Sequence, residues 1–105
     1  MKHESADRFD ATELDDVVHG RVRLGIMAYL AGAGAADFVT LQEHLRTTNG
    51  NLSVHLGKLE EAGYVTLARA IVGKRSRTTV CPTAKGRTAL RAYIQRMAKL
   101  VEELG

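Results

Sequence analysis

Apolar residues recur at helical spacing on both sides of a short polar turn near the middle of the chain. Residues separated by three or four positions lie on one side of a helix, because successive residues are rotated by about 100°. The segment between residues 40 and 63 therefore predicts two helices joined as a helix-turn-helix. Their buried side is expected to consist of Leu41, Leu45, Leu52, Leu56 and Leu59.

The ends of these two helices carry capping signals. Thr40 and Glu43 have the spacing of a capping box, which predicts that Thr40 caps the first helix. Thr48 or Asn49 is the expected cap of the second helix, and Gly63 is its expected stop.

The N-terminal part of the chain predicts one long, mostly buried helix that begins at Glu13 and stops at the glycines near residue 33. A break at Gly20 is the alternative, because glycine costs about 1 kcal/mol relative to alanine inside a helix. Residues 1–12 are polar and without periodicity, so we expect a flexible arm. A few strand residues are expected after the helix, at Phe38 and Val39. The apolar side of the helix consists of Leu14, Val18, Val22, Ile26, Tyr29 and Leu30.

Two β-prone segments follow the helix-turn-helix and are separated by the sequence GKRS. They run from Tyr64 to Val72 and from Arg77 to Pro82, and together they predict a β-hairpin with a basic tip. Pro82 is expected to end the second strand, because it has no amide hydrogen for the ladder. Thr83 can cap the helix that follows.

The last helix, expected from about residue 84 to 104, has apolar residues at alternating spacings of four and three. This is the seam of a heptad repeat, and it continues to the end of the helix. We therefore expect the helix to extend beyond its own core and to pair with a second copy of the chain. The expected homodimer interface consists of Leu14, Val18, Leu90, Ile94, Met97, Val101 and Leu104.

Charge is distributed unevenly along the chain, although the net charge is only +3. Residues 1–61 contain ten acidic and six basic side chains, whereas residues 62–101 contain nine basic side chains and no acidic one. A block of one sign favours a polyanionic partner. Lys74, Arg75 and Arg77 concentrate this charge near the hairpin tip.

Composition narrows the class of protein. With 105 residues, 45% of them hydrophobic, the chain predicts one folded domain without room for a separate catalytic domain. The N-terminus lacks the apolar segment of a secretory signal, and the longest uncharged run, residues 24–36, is too short to span a membrane. A cytoplasmic location is expected. The single cysteine, Cys81, excludes an internal disulfide and a thiolate-rich metal site within one chain.

The outward face of the second helix is small, polar and basic. Asn51, Val54 and Lys58 lie opposite the leucines, with Ser53 and His55 on the flanks. Asparagine and lysine can contact the edges of adenine and guanine, and valine can contact a thymine methyl group. This face indicates a DNA groove as the partner, and the alternative is a set of solvated surface residues. RNA is a weaker candidate, because no aromatic residue lies among the basic ones to stack on a base.

The order helix, helix-turn-helix, basic hairpin and long C-terminal helix resembles the winged-helix transcription regulators of bacteria and archaea. The stretches that carry the resemblance are VRLGIMAYL at 22–30, NGNLSVHLGKLEEAGYV at 49–65 and RTTVCPTAKGR at 77–87. The chain is most similar to small single-domain members of the ArsR/MarR-like group. The resemblance implies an α+β, mostly α fold: a winged helix-turn-helix domain over residues 13–105 with a long C-terminal dimerisation helix.

The resemblance also implies a sequence-specific transcriptional regulator that binds double-stranded DNA as a homodimer and needs no cofactor. The second helix (about 49–62) would lie in the major groove and the wing (about 72–77) on the flanking backbone. Metal-sensing relatives use paired cysteines on that helix or histidines and carboxylates on the last one, and this chain has no cysteine between residues 48 and 63 and no histidine after residue 55. The residues that would face DNA are Thr48, Asn49, Asn51, Ser53, Val54, His55, Lys58, Lys74, Arg75, Ser76 and Arg77.

Two positions depart from the family pattern. Gly57 stands where such proteins often carry a larger polar or basic side chain, which leaves fewer DNA contacts on this helix. Pro82 stands where a leucine often enters the core.

Two other classes of function compete with DNA binding. An enzyme needs a convergent set of catalytic groups, and the sequence offers none, since Glu43 and His44 lie on different sides of a helix and Cys81 has no nearby histidine. A winged helix that binds protein instead of DNA is the stronger alternative, because a fold does not determine function. It predicts an apolar exposed face on the second helix, where this chain has polar and basic residues.

Overall fold

The computed structural model describes residues 14–104, which form a mostly helical fold with one small sheet. The predicted fold class, including the long C-terminal helix, is confirmed. The antiparallel sheet has the strand order β1-β3-β2. The predicted arm at residues 1–12 lies outside the described residues. The elements are α1 (Arg21–Ala33), β1 (Ala36–Asp37), α2 (Phe38–Leu45), α3 (Asn49–Glu61), β2 (Val65–Val72), β3 (Arg75–Pro82) and α4 (Ala84–Leu104).

The helix-turn-helix consists of α2 and α3. Arg46, in the left-handed region with φ of 53°, ends α2, and the Arg21 guanidinium donates a hydrogen bond of 3.2 Å to the Leu45 carbonyl at that end. The Thr48 hydroxyl accepts a hydrogen bond of 3.1 Å from the Asn51 amide and caps α3. Of the two predicted caps, Thr48 and Asn49, the first is therefore correct. The turn between the helices is therefore closed by side chains from α1 and from the turn itself.

The predicted start of α2 is wrong. Phe38 and Val39 are the first residues of the helix and not a strand, and the cap is Asp37, whose carboxylate accepts a hydrogen bond of 2.8 Å from the Thr40 amide. β1 pairs with β3 through Asp37 and Thr79, so the backbone stays extended as far as Asp37. The helix can begin only after that residue, which leaves Thr40 inside its first turn.

The predicted first helix is too long at its N-terminal end. Residues 14–19 form a turn in which the Asp15 carboxylate accepts hydrogen bonds from the amides of Val17 and Val18, at 2.8 and 3.2 Å. Gly20 follows with φ of 129°, which other residues rarely adopt, and α1 begins at Arg21. The helical start at residue 13 is therefore wrong, and the alternative of a break at Gly20 is correct.

The hairpin of β2 and β3 has a shorter turn than predicted. Its register pairs Val72 with Arg75, so only Gly73 and Lys74 form the turn. Gly73 has φ of 67°, and two-residue hairpin turns require a positive φ at this position. β3 therefore begins at Arg75 and not at Arg77, so the basic residues after Lys74 are held on a strand instead of in a loop.

Both predicted features of the β3–α4 junction are confirmed. Pro82 is the last residue of β3, and the Thr83 hydroxyl accepts a hydrogen bond of 2.9 Å from the Gly86 amide at the start of α4.

The core is formed by α1, α2, α3, the root of the wing and the first half of α4. Two residues expected in a dimer interface belong to it: Val18 has no exposed surface and Leu90 is 5% exposed. Leu14 packs against the same core and is half-buried. These side chains are covered by their own chain, which corrects the assignment of Val18 and Leu90 to an interface. The buried set is Val18, Val22, Ile26, Met27, Leu30, Leu41, Leu45, Leu52, Leu56, Leu59, Tyr64, Val65, Val80, Leu90 and Tyr93.

Candidate nucleic-acid interface

The outward face of α3 is determined by the leucines on its other side. Leu52, Leu56 and Leu59 are at most 2% exposed, so the opposite side of the helix must face solvent. Most of the α3 residues predicted to contact DNA lie on this exposed side. They are Thr48, Asn49, Asn51, Ser53, Val54 and Lys58.

The Asn51 side chain is oriented by the turn that precedes α3. Its amide nitrogen donates a hydrogen bond of 2.7 Å to the Thr47 hydroxyl. An asparagine amide has two N–H groups and a carbonyl oxygen, so a donor and an acceptor remain for a partner. The arrangement holds the amide at the exposed N-terminal end of the helix.

His55 lies on the flank of α3 and differs from the other predicted residues because it is half-buried. Its Nδ1 atom is enclosed and has no hydrogen-bond partner among the described residues. Burial lowers the pKa of His55 below its ordinary value, and the positive charges of Arg23 and Lys58 lower it further. His55 is therefore a neutral side chain at neutral pH.

The wing carries the second group of predicted residues. Lys74, Arg75, Ser76 and Arg77 are all exposed. Arg75 and Arg77 alternate with Ser76 along β3, so they share one face of the hairpin, opposite Val72 and Ala70. The small Ala70 leaves the Arg77 guanidinium uncovered by its cross-strand neighbour.

A groove of about 820 Å³ lies between α3 and the wing. Asn49, Ser53 and Gly57 line it from α3, and Arg69 and Arg75 line it from the wing. The two sets of predicted residues therefore adjoin one another on the same side of the molecule. A Cβ atom at Gly57 would meet no other atom within 4 Å, so the missing side chain leaves this part of the groove open.

Acidic groups also lie at the groove and modify its charge. Asp37 and Glu60 are among its lining residues. The hydrogen bond from the Thr40 amide lowers the pKa of Asp37, and the nearby Arg77 guanidinium contributes to the same shift. The Asp37 carboxylate therefore balances part of the positive charge of Arg77. Arg75 lies two residues closer to the hairpin turn.

Arg69 and Arg23 also belong to this surface and were not among the predicted residues. Arg69 lines the groove from β2, opposite Thr78, and Arg23 lies close enough to His55 to lower its pKa. The hairpin register could have identified Arg69, because pairing Val72 with Arg75 across a Gly-Lys turn places Arg69 opposite Thr78. No local pattern in the sequence could have identified Arg23, since its position depends on how α1 packs on α3.

Within residues 14–104, no group of three or more His, Cys, Asp or Glu side chains could hold a metal ion. In the same part of the chain, no helix is long and apolar enough to cross a membrane.

A helix-turn-helix followed by a basic two-stranded wing defines the class of winged-helix proteins. A family model described as a winged helix DNA-binding domain matches residues 22–101. The uncharacterised protein MJ0432 of Methanocaldococcus jannaschii is 39% identical over 83 residues, which cover 79% of this chain and 90% of that protein. The chain therefore belongs to the winged helix DNA-binding domain family.

Solved structures share this fold. A transcriptional regulator homologue from Pyrococcus horikoshii OT3 superposes with a TM-score of 0.77 at 31% identity, over 84% of this chain and 87% of that one. A MarR-like transcriptional regulator from Thermotoga maritima has the same fold at 21% identity, with a TM-score of 0.60 over 90% of this chain and 69% of that one. The predicted resemblance to winged-helix regulators is confirmed at the level of the fold.

Proposed function

We propose that this protein is a transcriptional regulator that binds double-stranded DNA with sequence specificity as a homodimer. In this proposal α3 lies in the major groove and the wing contacts the flanking phosphate backbone. The observation that carries it is the adjacency of an exposed polar face on α3 and a basic wing across one groove. The stated roles of the similar Pyrococcus and Thermotoga proteins support the regulatory part of the proposal.

The wing and α3 are proposed to make different kinds of contact with DNA. Lysine and arginine side chains of the wing neutralise phosphates and release counterions, which supplies much of the affinity. Residues on α3 contact base edges, which supplies discrimination: Asn51 suits adenine, Lys58 suits guanine, and Val54 suits a thymine methyl group.

The homodimer is supported by the second half of α4, which carries apolar side chains that stay exposed among residues 14–104. Ile94, Val101 and Leu104 are 53%, 64% and 79% exposed, and Met97 is half-buried between them. They continue the heptad seam beyond the core, and such a stripe on a soluble protein favours a helical partner. A two-fold pairing would present two α3 helices to one DNA duplex.

The alternative, a winged helix that binds protein, requires an apolar face on α3. Val54 is exposed by 57%, but the residues around it on this face are polar or basic. This composition favours DNA over an apolar protein surface.

The wing is tested by Arg75→Ala, with Lys99→Ala as the control. Both changes remove one positive charge, but Lys99 lies on α4, on the side away from the apolar stripe. Arg75→Ala should weaken binding to cognate and scrambled duplexes alike and lower the salt slope by about one unit per lost phosphate contact in each subunit. Lys99→Ala should leave the slope unchanged. An equal change of the salt slope in both variants would contradict a phosphate contact made specifically by the wing.

A further inference from the structure

Two nitrogen atoms near the contact between α1 and α3 are enclosed without a hydrogen-bond partner among residues 14–104. They are Nε of Arg23, on α1, and Nδ1 of His55, on α3. The Arg23 guanidinium also donates a long hydrogen bond of 3.4 Å to the His19 carbonyl. Proteins rarely leave enclosed polar atoms unpaired, so this pair indicates a partner outside the chain.

His55 lies on the flank of α3 that is turned away from the wing. At about 100° per residue, Lys58 follows it on this flank, and Ser53 and Glu60 fall on the opposite one. The latter two line the groove beside the wing. Arg23 lies next to the flank of His55, because its charge acts on that side chain. The exposed face of α3 therefore has basic residues of another element on both sides.

The shape of the major groove gives both flanks of α3 a partner. The groove is about 12 Å wide, and an α-helix with its side chains is about 10–12 Å across, so a bound helix has a phosphate backbone along each flank. The wing arginines can contact the backbone on one side. Arg23 and Lys58 supply positive charge on the other side.

The charged groups that act on His55 are both positive. Burial lowers the pKa of His55, and the charges of Arg23 and Lys58 lower it further, so the ring is neutral while the protein is free. The other charged residues of α3, and those of α1 and β2 that pack against it, are directed elsewhere. They are Arg21, Glu60, Glu61 and Arg69.

A DNA phosphate at this position would reverse the balance of charge around His55. Its unesterified oxygens can accept hydrogen bonds from guanidinium, ammonium and imidazolium groups at once. Its negative charge also favours the protonated form of the imidazole. A ring that is neutral in the free protein would then carry a proton in the complex.

We infer that Arg23, His55 and Lys58 together bind one DNA phosphate on the flank of α3 away from the wing, and that His55 takes up a proton when this phosphate is bound. The inference rests on the proposed function and adds a residue of α1 to the DNA contacts. Because a proton is taken up on binding, affinity rises as the pH falls. The rise begins near the pKa of His55 in the complex and ends near its lower pKa in the free protein.

The first test is the pH dependence of binding, with His55→Gln and His44→Gln as a matched pair. Glutamine keeps a polar side chain and does not titrate in this range. The affinity of the wild type for a duplex that it has selected should rise about tenfold per subunit between pH 8 and pH 5.5, which corresponds to a pKa difference of about one between complex and free protein. The rise should be absent from His55→Gln. It should remain in His44→Gln, because His44 is an exposed residue of α2.

The second test measures the contact made by Arg23. At pH 8, Arg23→Gln should lower the salt slope by about one per subunit. Lys99→Gln should leave the slope unchanged, because Lys99 lies on the side of α4 away from the apolar stripe. Thermal unfolding of both variants is measured in parallel.

Nitrogen NMR of the imidazole rings gives the pKa of His55 directly, and it should be higher with the duplex than without it. This measurement uses the wild-type protein, so it decides the question even if Arg23→Gln does not fold. An equal pKa in both states, a pH dependence that persists in His55→Gln, or an unchanged salt slope for folded Arg23→Gln would overturn the inference and leave the proposed function intact. Failure of the wild type to bind any duplex would overturn both.

Discussion

The Asn51 side chain is oriented before any DNA is bound, because its amide nitrogen is already hydrogen-bonded to the Thr47 hydroxyl at 2.7 Å. A side chain held in this way loses little conformational entropy on contact with a base. We therefore predict that Asn51→Ala weakens binding to the preferred duplex by about 1–3 kcal/mol and relaxes the preference at one position. Binding to a scrambled duplex should change little. Equal losses on both duplexes, measured by fluorescence anisotropy, would exclude Asn51 from base contact.

At the scale of single residues, the sequence predicts exposure on α3 well and helix caps less well. Polar residues opposite three leucines can only face solvent, and the structure places Asn51, Ser53 and Lys58 there. The predicted cap of α2 is wrong because two overlapping patterns fit the sequence, one led by Asp37 and one by Thr40. The choice depends on pairing between β1 and β3, which is a contact distant in sequence.

At the scale of elements, the Tyr64 side chain connects the turn before α1 to the root of the wing. Its hydroxyl donates a hydrogen bond of 2.5 Å to the Asp15 carboxylate, which also caps the amides of Val17 and Val18. Burial raises the pKa of Tyr64 to about 12, and the bond to Asp15 adds to the shift. One tyrosine thus holds the N-terminal turn against the start of β2.

We predict that Tyr64→Phe lowers the free energy of unfolding by about 1–3 kcal/mol, because a carboxylate loses a hydrogen bond. Since the folded pKa lies above the ordinary value of 10.0, this stabilisation is complete below pH 10 and is lost as the pH rises toward 12. Urea unfolding of both proteins between pH 8 and pH 11 checks the prediction.

The control for this experiment is Tyr93→Phe. It removes the same atom from a hydrogen bond of 2.7 Å to the imidazole of His19 instead of a carboxylate, so a smaller loss is expected. A difference between wild type and Tyr64→Phe that stays constant up to pH 11 would contradict the account of this contact.

The first helix shows why element boundaries are difficult to predict. Leu14 and Val18 keep helical spacing relative to Val22, but they lie in a turn that also packs on the core. Periodicity reports which side chains are buried and cannot by itself distinguish a buried turn from a helix. The φ angle at Gly20 ends the pattern, and only the glycine signalled that break in the sequence.

At the scale of the whole molecule, the apolar stripe on α4 leads to a test of assembly. Ile94→Glu places a charge in the middle of the seam and should give a folded monomer, because Ile94 is already 53% exposed in the single chain. Gln95→Glu adds a charge on the opposite side of the same turn and should leave the dimer intact. Light scattering at micromolar concentration distinguishes these outcomes. A monomeric wild type would contradict the two-fold binding mode.

The sequence predicts this stripe but not where the core ends along it. Leu90 and Ile94 are neighbours in the same seam, yet Leu90 is 5% exposed and Ile94 is 53% exposed. The buried residues of α4 are Gly86, Leu90 and Tyr93, so the core ends after the first half of this helix. A heptad pattern therefore identifies the face of a helix and leaves open which of its turns belong to the core.

The most direct test of sequence-specific binding is selection from a library of duplexes with a random central region, using the wild-type protein at moderate salt. We expect enrichment of two inverted half-sites whose centres are about one helical turn, or 10–10.5 base pairs, apart. We also expect binding to the enriched duplex that is at least about a thousandfold tighter than to a scrambled one. No enriched sequence after repeated rounds, together with equal affinity for both duplexes, would contradict sequence-specific binding.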